Sequence, residues 1–118
     1  MNFDRFTQNA QQAVADCQSI AIENGQQQLE GEHLHLALLR QREGLVPRLL
    51  AYMGLDVEGL AGEVQREIDR LPKVSGSGAD QLYASRRFAQ LLPAAERIAQ
   101  QFKDEYVSVE HLYLALVE

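Results

Sequence analysis

The sequence of 118 residues lacks tryptophan and contains one cysteine, Cys17. A single cysteine forms neither an internal disulfide nor a thiolate metal cluster, which favours a reducing compartment and predicts a cytoplasmic protein. No stretch approaches the roughly 18 uninterrupted apolar residues of a membrane span, and charges interrupt the start, MNFDRFTQNA, where a signal peptide is apolar. We therefore expect no membrane association, and Cys17 as a small buried side chain.

Basic residues are scarce: 11 Lys and Arg stand against 17 Asp and Glu, giving a net charge of −6 at pH 7. Nucleic-acid affinity comes largely from Lys and Arg that release counterions, so we expect no nucleic-acid partner. The 46% of hydrophobic and 24% of charged residues are typical of a globular protein, and the length suits a single domain over residues 1–118.

Motifs for catalysis are missing as well. No G-x-x-x-x-G-K-[ST] sequence is present to cradle a nucleotide phosphate, and no nucleophile lies beside a base or an oxyanion motif. We therefore expect this chain to have no catalytic residues and no cofactor, and to act by binding.

The three histidines do not form a metal-ligand pattern. His33 and His35 are two residues apart and would point to nearly opposite faces of a helix, and the neighbouring Glu32 diverges from His33 by about 100°. The same holds for Glu110 beside His111. We expect no metal site, with His33 and His111 packed near the starts of their helices and hydrogen-bonded to local backbone.

Apolar residues recur at spacings of three and four and predict six helices, with no convincing strand. Gly25 is expected to end the first helix, Gly44 and Gly54 to bracket the short third one, and Pro72 to stop the fourth. Pro93 lies about two turns into the fifth helix and predicts a kink. KVSGSGADQ reads as a flexible linker. The expected N-caps are Thr7, Asp56, Ser85 and Ser108.

The most informative feature is an internal repeat. At an offset of 78, residues 32–38 (EHLHLAL) lie over residues 110–116 (EHLYLAL) with six of seven identical, and residues 6–39 contain nine identities in 34 positions without a gap. A helical unit with an apolar stripe on each member must bury it, and a second copy supplies a matching surface. We predict an all-α fold of two pseudo-twofold-related repeats of a four-helix unit.

The second repeat is incomplete. Repeat one spans about residues 1–71, the linker residues 72–83, and repeat two residues 84–118, so counterparts of residues 40–71 are missing. We expect the sequence to be a fragment of a longer chain. Part of one apolar face is then expected to be uncovered, at Leu112, Leu114 and Leu116.

Two pairs of matched polar residues admit two interpretations each. Glu32 and Glu110 sit in the first turns of their helices, where the helix dipole stabilises a carboxylate, or they accept hydrogen bonds from a guanidinium of a bound peptide. Thr7 and Ser85 serve as helix caps or contribute to binding.

FTQNAQQAVADCQSIA, the EHLHLALL segment, GLDVEGLAGEVQREIDRLP and especially KDEYVSVEHLYLALVE closely resemble the N-terminal domain of Clp ATPases, with the linker most like the ClpB disaggregase branch. The resemblance covers essentially the whole chain. It implies a mobile, all-helical domain of two four-helix repeats in front of a hexameric AAA+ motor. ATP and Mg²⁺ would bind elsewhere in that protein, which cooperates with the DnaK chaperone system.

The resemblance further implies that the domain engages exposed hydrophobic segments of unfolded or aggregated polypeptides and passes them to the motor. Family residues implicated in this role match Thr7, Asp104 and Glu110. We expect apolar residues of the first and fifth helices to line a shallow groove, with Asp104, Glu110 and Glu32 as acidic acceptors around it. The expected apolar lining includes Ala13, Val14, Leu91 and Leu92.

The alternative is a docking module for an adaptor protein or for phosphoarginine-marked substrates. In the ClpC branch, the positions that match Glu32 and Glu110 contact phosphorylated arginine, and the phosphate contacts would come from near Thr7, Ser85 and Arg86. A third possibility is a purely structural role beside the motor, which predicts no peptide affinity.

Overall fold

A computed structural model describes residues 3–74 and 81–118. Within these ranges the chain forms six helices: α1 (Gln8–Glu23), α2 (Gly31–Leu39), α3 (Leu45–Tyr52), α4 (Val57–Asp69), α5 (Arg86–Gln101) and α6 (Val109–Val117). The all-α fold class is confirmed. Two short strands, β1 (Gln28–Leu29) and β2 (Tyr83–Ala84), correct the expectation of no strand. Most of the predicted flexible linker, residues 75–80, lies outside the described residues.

The helix ends follow the predicted chemistry. The Thr7 hydroxyl accepts a hydrogen bond from the Ala10 amide at 3.2 Å, and the Ser85 hydroxyl accepts one from the Phe88 amide at 3.0 Å. Each bond satisfies one of the amides left free in a first helical turn. Gly25 follows the α1 C-cap with φ of 69°, a left-handed conformation that glycine adopts without strain. The helix boundaries are therefore encoded locally.

The pseudo-twofold relation appears in the strand pairing. Leu29 of β1 pairs in parallel with Ala84 of β2, and Phe6 forms an isolated parallel bridge with Val107. At the offset of 78, Phe6 matches Ala84 and Leu29 matches Val107, so both pairings are the same pairing made twice. In each, the segment entering one repeat's first helix pairs with the other repeat, which interlocks the two repeats.

Backbone hydrogen bonds at the helix entrances repeat this exchange. The Thr7 amide donates to the Val107 carbonyl at 2.9 Å, and the Ser85 amide donates to the Leu29 carbonyl at 3.0 Å. These cap residues are thus fixed on both sides, by their own helix and by the opposite repeat.

The core is centred on α2, which packs against α1, α4 and α6. Cys17 is completely buried, as predicted. Leu36 of α2 is also fully buried, whereas its match Leu114 in α6 is 40% exposed, because α4 covers α2 and no described helix takes that place on α6. Leu112 is fully buried, so the expectation that it lies on an uncovered face is wrong. No helix within residues 3–74 and 81–118 has the length and apolar character needed to cross a membrane.

Candidate functional site

Two matched turns, each built around a buried histidine, organise the candidate site. The Glu30 amide donates to His33 Nδ1 at 3.0 Å, and the Ser108 amide donates to His111 Nδ1 at 2.9 Å. Because Nδ1 is the acceptor in both rings, Nε2 carries the proton and acts as a donor. The prediction that both histidines pack at their helix starts with backbone partners is confirmed.

The second partner of each histidine differs between the repeats. His33 Nε2 lies 2.6 Å from the Gln26 amide oxygen, and His111 Nε2 lies 2.8 Å from a carboxylate oxygen of Asp104. Gln26 is 1% exposed, and its amide nitrogen donates to the Ile68 carbonyl of α4 at 2.6 Å. The Asp104 side chain is 49% exposed and has only acceptor oxygens. The first turn is closed, and the second presents a carboxylate to solvent.

An open cavity of about 170 Å³ adjoins Asp104. Three carboxylates and one guanidinium contribute to its lining, so it favours a ligand with hydrogen-bond donors or positive charge. Two aromatic residues of the same turn, Phe102 and Tyr106, are 59% and 51% exposed. The cavity-lining residues are Arg5, Glu96, Ala99, Gln100, Asp104 and Glu105. We call these residues together with Phe102 and Tyr106 the acidic turn surface.

Two of the predicted binding residues, Thr7 and Asp104, lie near the Phe6–Val107 bridge. Thr7 donates its amide to Val107, and Asp104 and Glu110 lie three residues to either side of Val107. Glu110 is partly buried in the first turn of α6. One junction between the repeats therefore contains the N-cap of α1 and Asp104, which lines a cavity together with Arg5.

Leu91 and Glu32 lie elsewhere. Leu91 is partly buried and lines a separate cavity of about 320 Å³ with Gly31 and Leu116. Glu32 follows Gly31 in the first turn of α2. The structure therefore divides the predicted site residues between two regions.

The predicted groove of the first and fifth helices needs correction. Ala13 is fully buried, and Val14 and Leu92 are each 4% exposed, so these three side chains belong to the core. In this structure they do not line an open surface, and we omit them from the candidate site. A binding role for the other predicted residues stays a prediction.

The two predicted caps also have different surroundings. The Ser85 hydroxyl donates to a carboxylate oxygen of Glu30 at 2.7 Å, so a negative charge already lies at the start of α5. The position that matches Glu30 is Ser108, which places a hydroxyl where the other repeat has a carboxylate.

The two repeats meet through matched residues at the pseudo-dyad. His35 Nε2 lies 3.0 Å from the Tyr113 hydroxyl, and the rings meet edge to face with centroids 5.2 Å apart. Burial lowers the pKa of His35, although the carboxylate of Glu32 acts in the opposite direction. Burial also raises the pKa of Tyr113. Both pKa shifts favour the neutral forms of these side chains near pH 7.

Metal ligands are not clustered in the described part of the chain. Among residues 3–74 and 81–118, no three His, Cys, Asp or Glu side chains are placed to hold one ion.

The acidic turn surface was only partly predicted from sequence: Asp104 was identified, but Phe102, Tyr106 and the closed counterpart Gln26 were not. The repeat alignment contains the missing signal, since Phe102 and Tyr106 match the polar residues Asn24 and Gln28. Apolar residues that replace polar ones at matched turn positions indicate a surface specific to one repeat.

Comparison with known proteins gives a consistent result. Residues 5–118 match the model of the Clp repeat (R) N-terminal domain. The chain is 47% identical over 120 residues to Chaperone protein ClpB of Nitratidesulfovibrio vulgaris and 42% identical to that of Clostridium tetani, with all of this chain covered. It spans 14% of the length of each of these relatives.

Solved structures show the same fold. The N-terminal domain of Hsp104 from Candida albicans superposes with a TM-score of 0.86 at 26% identity, over 98% of this chain and 75% of that one. The N-terminal domain of the ClpV1 ATPase from Escherichia coli gives a TM-score of 0.84 at 21% identity, over 97% of this chain and 68% of that one.

Proposed function

The chain belongs to the Clp repeat N-terminal domain family, and we propose that it binds exposed segments of unfolded or aggregated polypeptides and delivers them to an AAA+ motor. Its similarity to ClpB chaperones supports the role of a chaperone N-terminal domain. Because the chain spans 14% of those relatives, the motor itself, its ATP and Mg²⁺, hexameric assembly, cooperation with DnaK and cytoplasmic location are parts of this proposal.

The observation that carries the proposal is the acidic turn surface. Exposed aromatic rings at Phe102 and Tyr106 offer apolar contact area with few rotatable bonds to immobilise, which suits apolar segments. Asp104 beside them accepts hydrogen bonds from peptide amides or basic side chains. Few fixed polar contacts give weak sequence discrimination, as a protein that meets many unfolded chains requires.

The first repeat supports this assignment by contrast. At the position of Asp104 it has Gln26, which is buried and whose side-chain amide donates to the Ile68 carbonyl. At the position of Phe102 it has Asn24, whose side-chain nitrogen donates to the Ile20 carbonyl at 2.7 Å. The polar side chains of the matched turn therefore already have hydrogen-bond partners within the first repeat, so we assign binding to the second repeat only.

NMR titration of the chain with an unfolded model protein tests the assignment. We expect chemical-shift changes over residues 102–106, and at least a severalfold loss of affinity in Phe102→Ala and in Asp104→Asn. Met53→Ala and Asp69→Asn are matched controls, because these side chains are also exposed but lie on or near α3 and α4. Shifts confined to the surface of α4 would exclude the acidic turn surface as the binding site.

A second candidate function is docking of an adaptor or of a phosphoarginine-marked substrate. It is favoured by the start of α1, where the Thr7 amide donates to the Val107 carbonyl and Glu110 follows Val107 by three residues. A guanidinium at Glu110 and a phosphate near Thr7 would complement this arrangement.

The two functions differ in their response to one substitution. Glu110→Ala should remove most of the affinity for a phosphoarginine peptide, but should leave binding of an unfolded protein at Phe102 and Tyr106 nearly unchanged. Glu63→Ala, at an exposed position on α4, is the matched control. If neither ligand binds at all, only the third possibility, a structural role beside the motor, survives.

A further inference from the structure

A second surface, unrelated to the acidic turn surface, lies on the first repeat between the end of α2, α3 and the start of α4. It is an open groove of about 610 Å³. Its apolar lining comes from Leu39, Pro47, Ala51 and Val57, and its polar lining from Arg40, Gln41, Arg42, Glu43, Arg48 and Glu58. We call it the arginine groove.

The groove concentrates positive charge on a negatively charged chain. It contains three of the 11 basic residues, against two carboxylates, while the whole chain carries −6. All three arginines are exposed, and within the described residues none of them lies in an ion pair with Asp or Glu. Arg48 Nε donates only to the nearby Gly44 carbonyl, at 3.3 Å. The guanidiniums are therefore available to an acidic ligand.

A second observation concerns Gln41 in the same lining. Its Nε2 donates to the Asn9 carbonyl at 2.9 Å, which fixes the orientation of the amide. Its Oε1 is buried and has no hydrogen-bond partner. Because this oxygen is closed off from solvent, a ligand in the groove does not reach it, and the amide instead fixes this edge of the groove against α1.

We propose that the arginine groove binds an acidic, extended segment of a partner polypeptide. Carboxylates of the segment would pair with the exposed guanidiniums of Arg42 and Arg48. Intervening apolar side chains would pack on Pro47 and Val57. An extended chain matches this layout because its successive side chains point alternately toward the charged rim and the apolar floor. The proposal does not depend on the function assigned to the acidic turn surface.

Fluorescence anisotropy with the purified 118-residue chain tests the proposal, using a labelled twelve-residue peptide that alternates Glu and Leu. We expect saturable binding that weakens as salt is raised, and a loss of at least tenfold in the double variant Arg42→Glu with Arg48→Glu. The matched control is Arg66→Glu with Arg70→Glu, which makes the same change in net charge at exposed sites at the C-terminal end of α4 and should bind as the unsubstituted chain does.

Three outcomes would overturn the proposal. Equal losses in the two double variants would show a general charge effect rather than a site. Equal binding of a peptide that alternates Gln and Leu would show that the guanidiniums do not recognise the ligand. Tighter binding of a twelve-nucleotide single-stranded DNA than of the acidic peptide, lost in Arg42→Glu with Arg48→Glu, would assign the groove to nucleic acid. Circular dichroism of each variant establishes that it is folded.

Discussion

The His111 imidazole lies 2.8 Å from the Asp104 carboxylate, where the matched His33 lies 2.6 Å from the Gln26 amide oxygen. The two histidines thus make the same bond with partners of different chemistry. Gln26 also donates to α4 and closes its turn, whereas Asp104 leaves its turn open. The replacement of Gln26 by Asp104 is thus one of the differences that separate a structural turn from a candidate binding turn.

This difference predicts unequal losses of stability. Gln26→Ala should lower the free energy of unfolding by about 2–4 kcal/mol, because His33 Nε2 and the Ile68 carbonyl both lose a buried partner. Asp104→Ala should cost about 1 kcal/mol, since water can reach His111 from the half-exposed side. Urea unfolding measures both values. Equal losses would contradict the distinction between a closed and an open turn.

The dyad pair predicts a pH dependence. Burial lowers the pKa of His35, so near pH 6.5 the unfolded chain binds a proton more readily than the folded one. The contribution of neutral His35 to the free energy of unfolding is therefore complete above pH 6.5. It is lost as the pH falls toward the folded-state pKa, by at most about 1.4 kcal/mol per pH unit. Burial lowers the pKa of His33 too, with the same sign.

The measurement is urea unfolding of the unsubstituted chain and of His35→Gln at pH 7.5 and pH 5.5. The glutamine of the variant keeps a hydrogen-bonding group near Tyr113 but does not titrate. The variant should therefore lose less free energy of unfolding between pH 7.5 and pH 5.5 than the unsubstituted chain does. A variant with an unchanged pH dependence would show that His35 does not contribute.

Cys17 is predicted to be inert in the folded chain. It is fully buried in α1, and burial raises the pKa of its thiol to about 12, so the thiolate is scarce at pH 8. An aromatic disulfide reagent should react slowly with the native chain, at a rate set by opening of the fold. In 6 M guanidinium chloride, where the chain is unfolded, it should react rapidly. Fast reaction without denaturant would place Cys17 at the surface.

The two N-caps should also differ in cost. Thr7→Ala removes one cap bond, which is worth about 0.5–2 kcal/mol. Ser85→Ala removes a similar bond and also the 2.7 Å hydrogen bond to Glu30, so it should cost about 1 kcal/mol more. Glu30→Gln is the control. In the double variant with Ser85→Ala, it should lower the free energy of unfolding little further than Ser85→Ala alone does. Equal costs for the two caps would mean that the Glu30 contact does not stabilise the fold.

The sequence alone determined the helices, their ends and the repeat. Thr7, Ser85 and Gly25 act through bonds to residues three or four positions away, and the apolar spacing of a helix is equally local. The strands were missed because a pair of residues has no periodicity, and because β1 and β2 are more than 50 positions apart.

Tertiary packing decided which of these residues remain accessible. Leu36 and Leu114 are the same residue in the same motif, yet one is fully buried and the other 40% exposed, because α4 covers only α2. Leu91 lines a cavity, whereas its neighbour Leu92 is buried in the core. A repeated sequence encodes the same local conformation twice, but exposure depends on which other helices pack against each copy, and a local pattern does not contain that information.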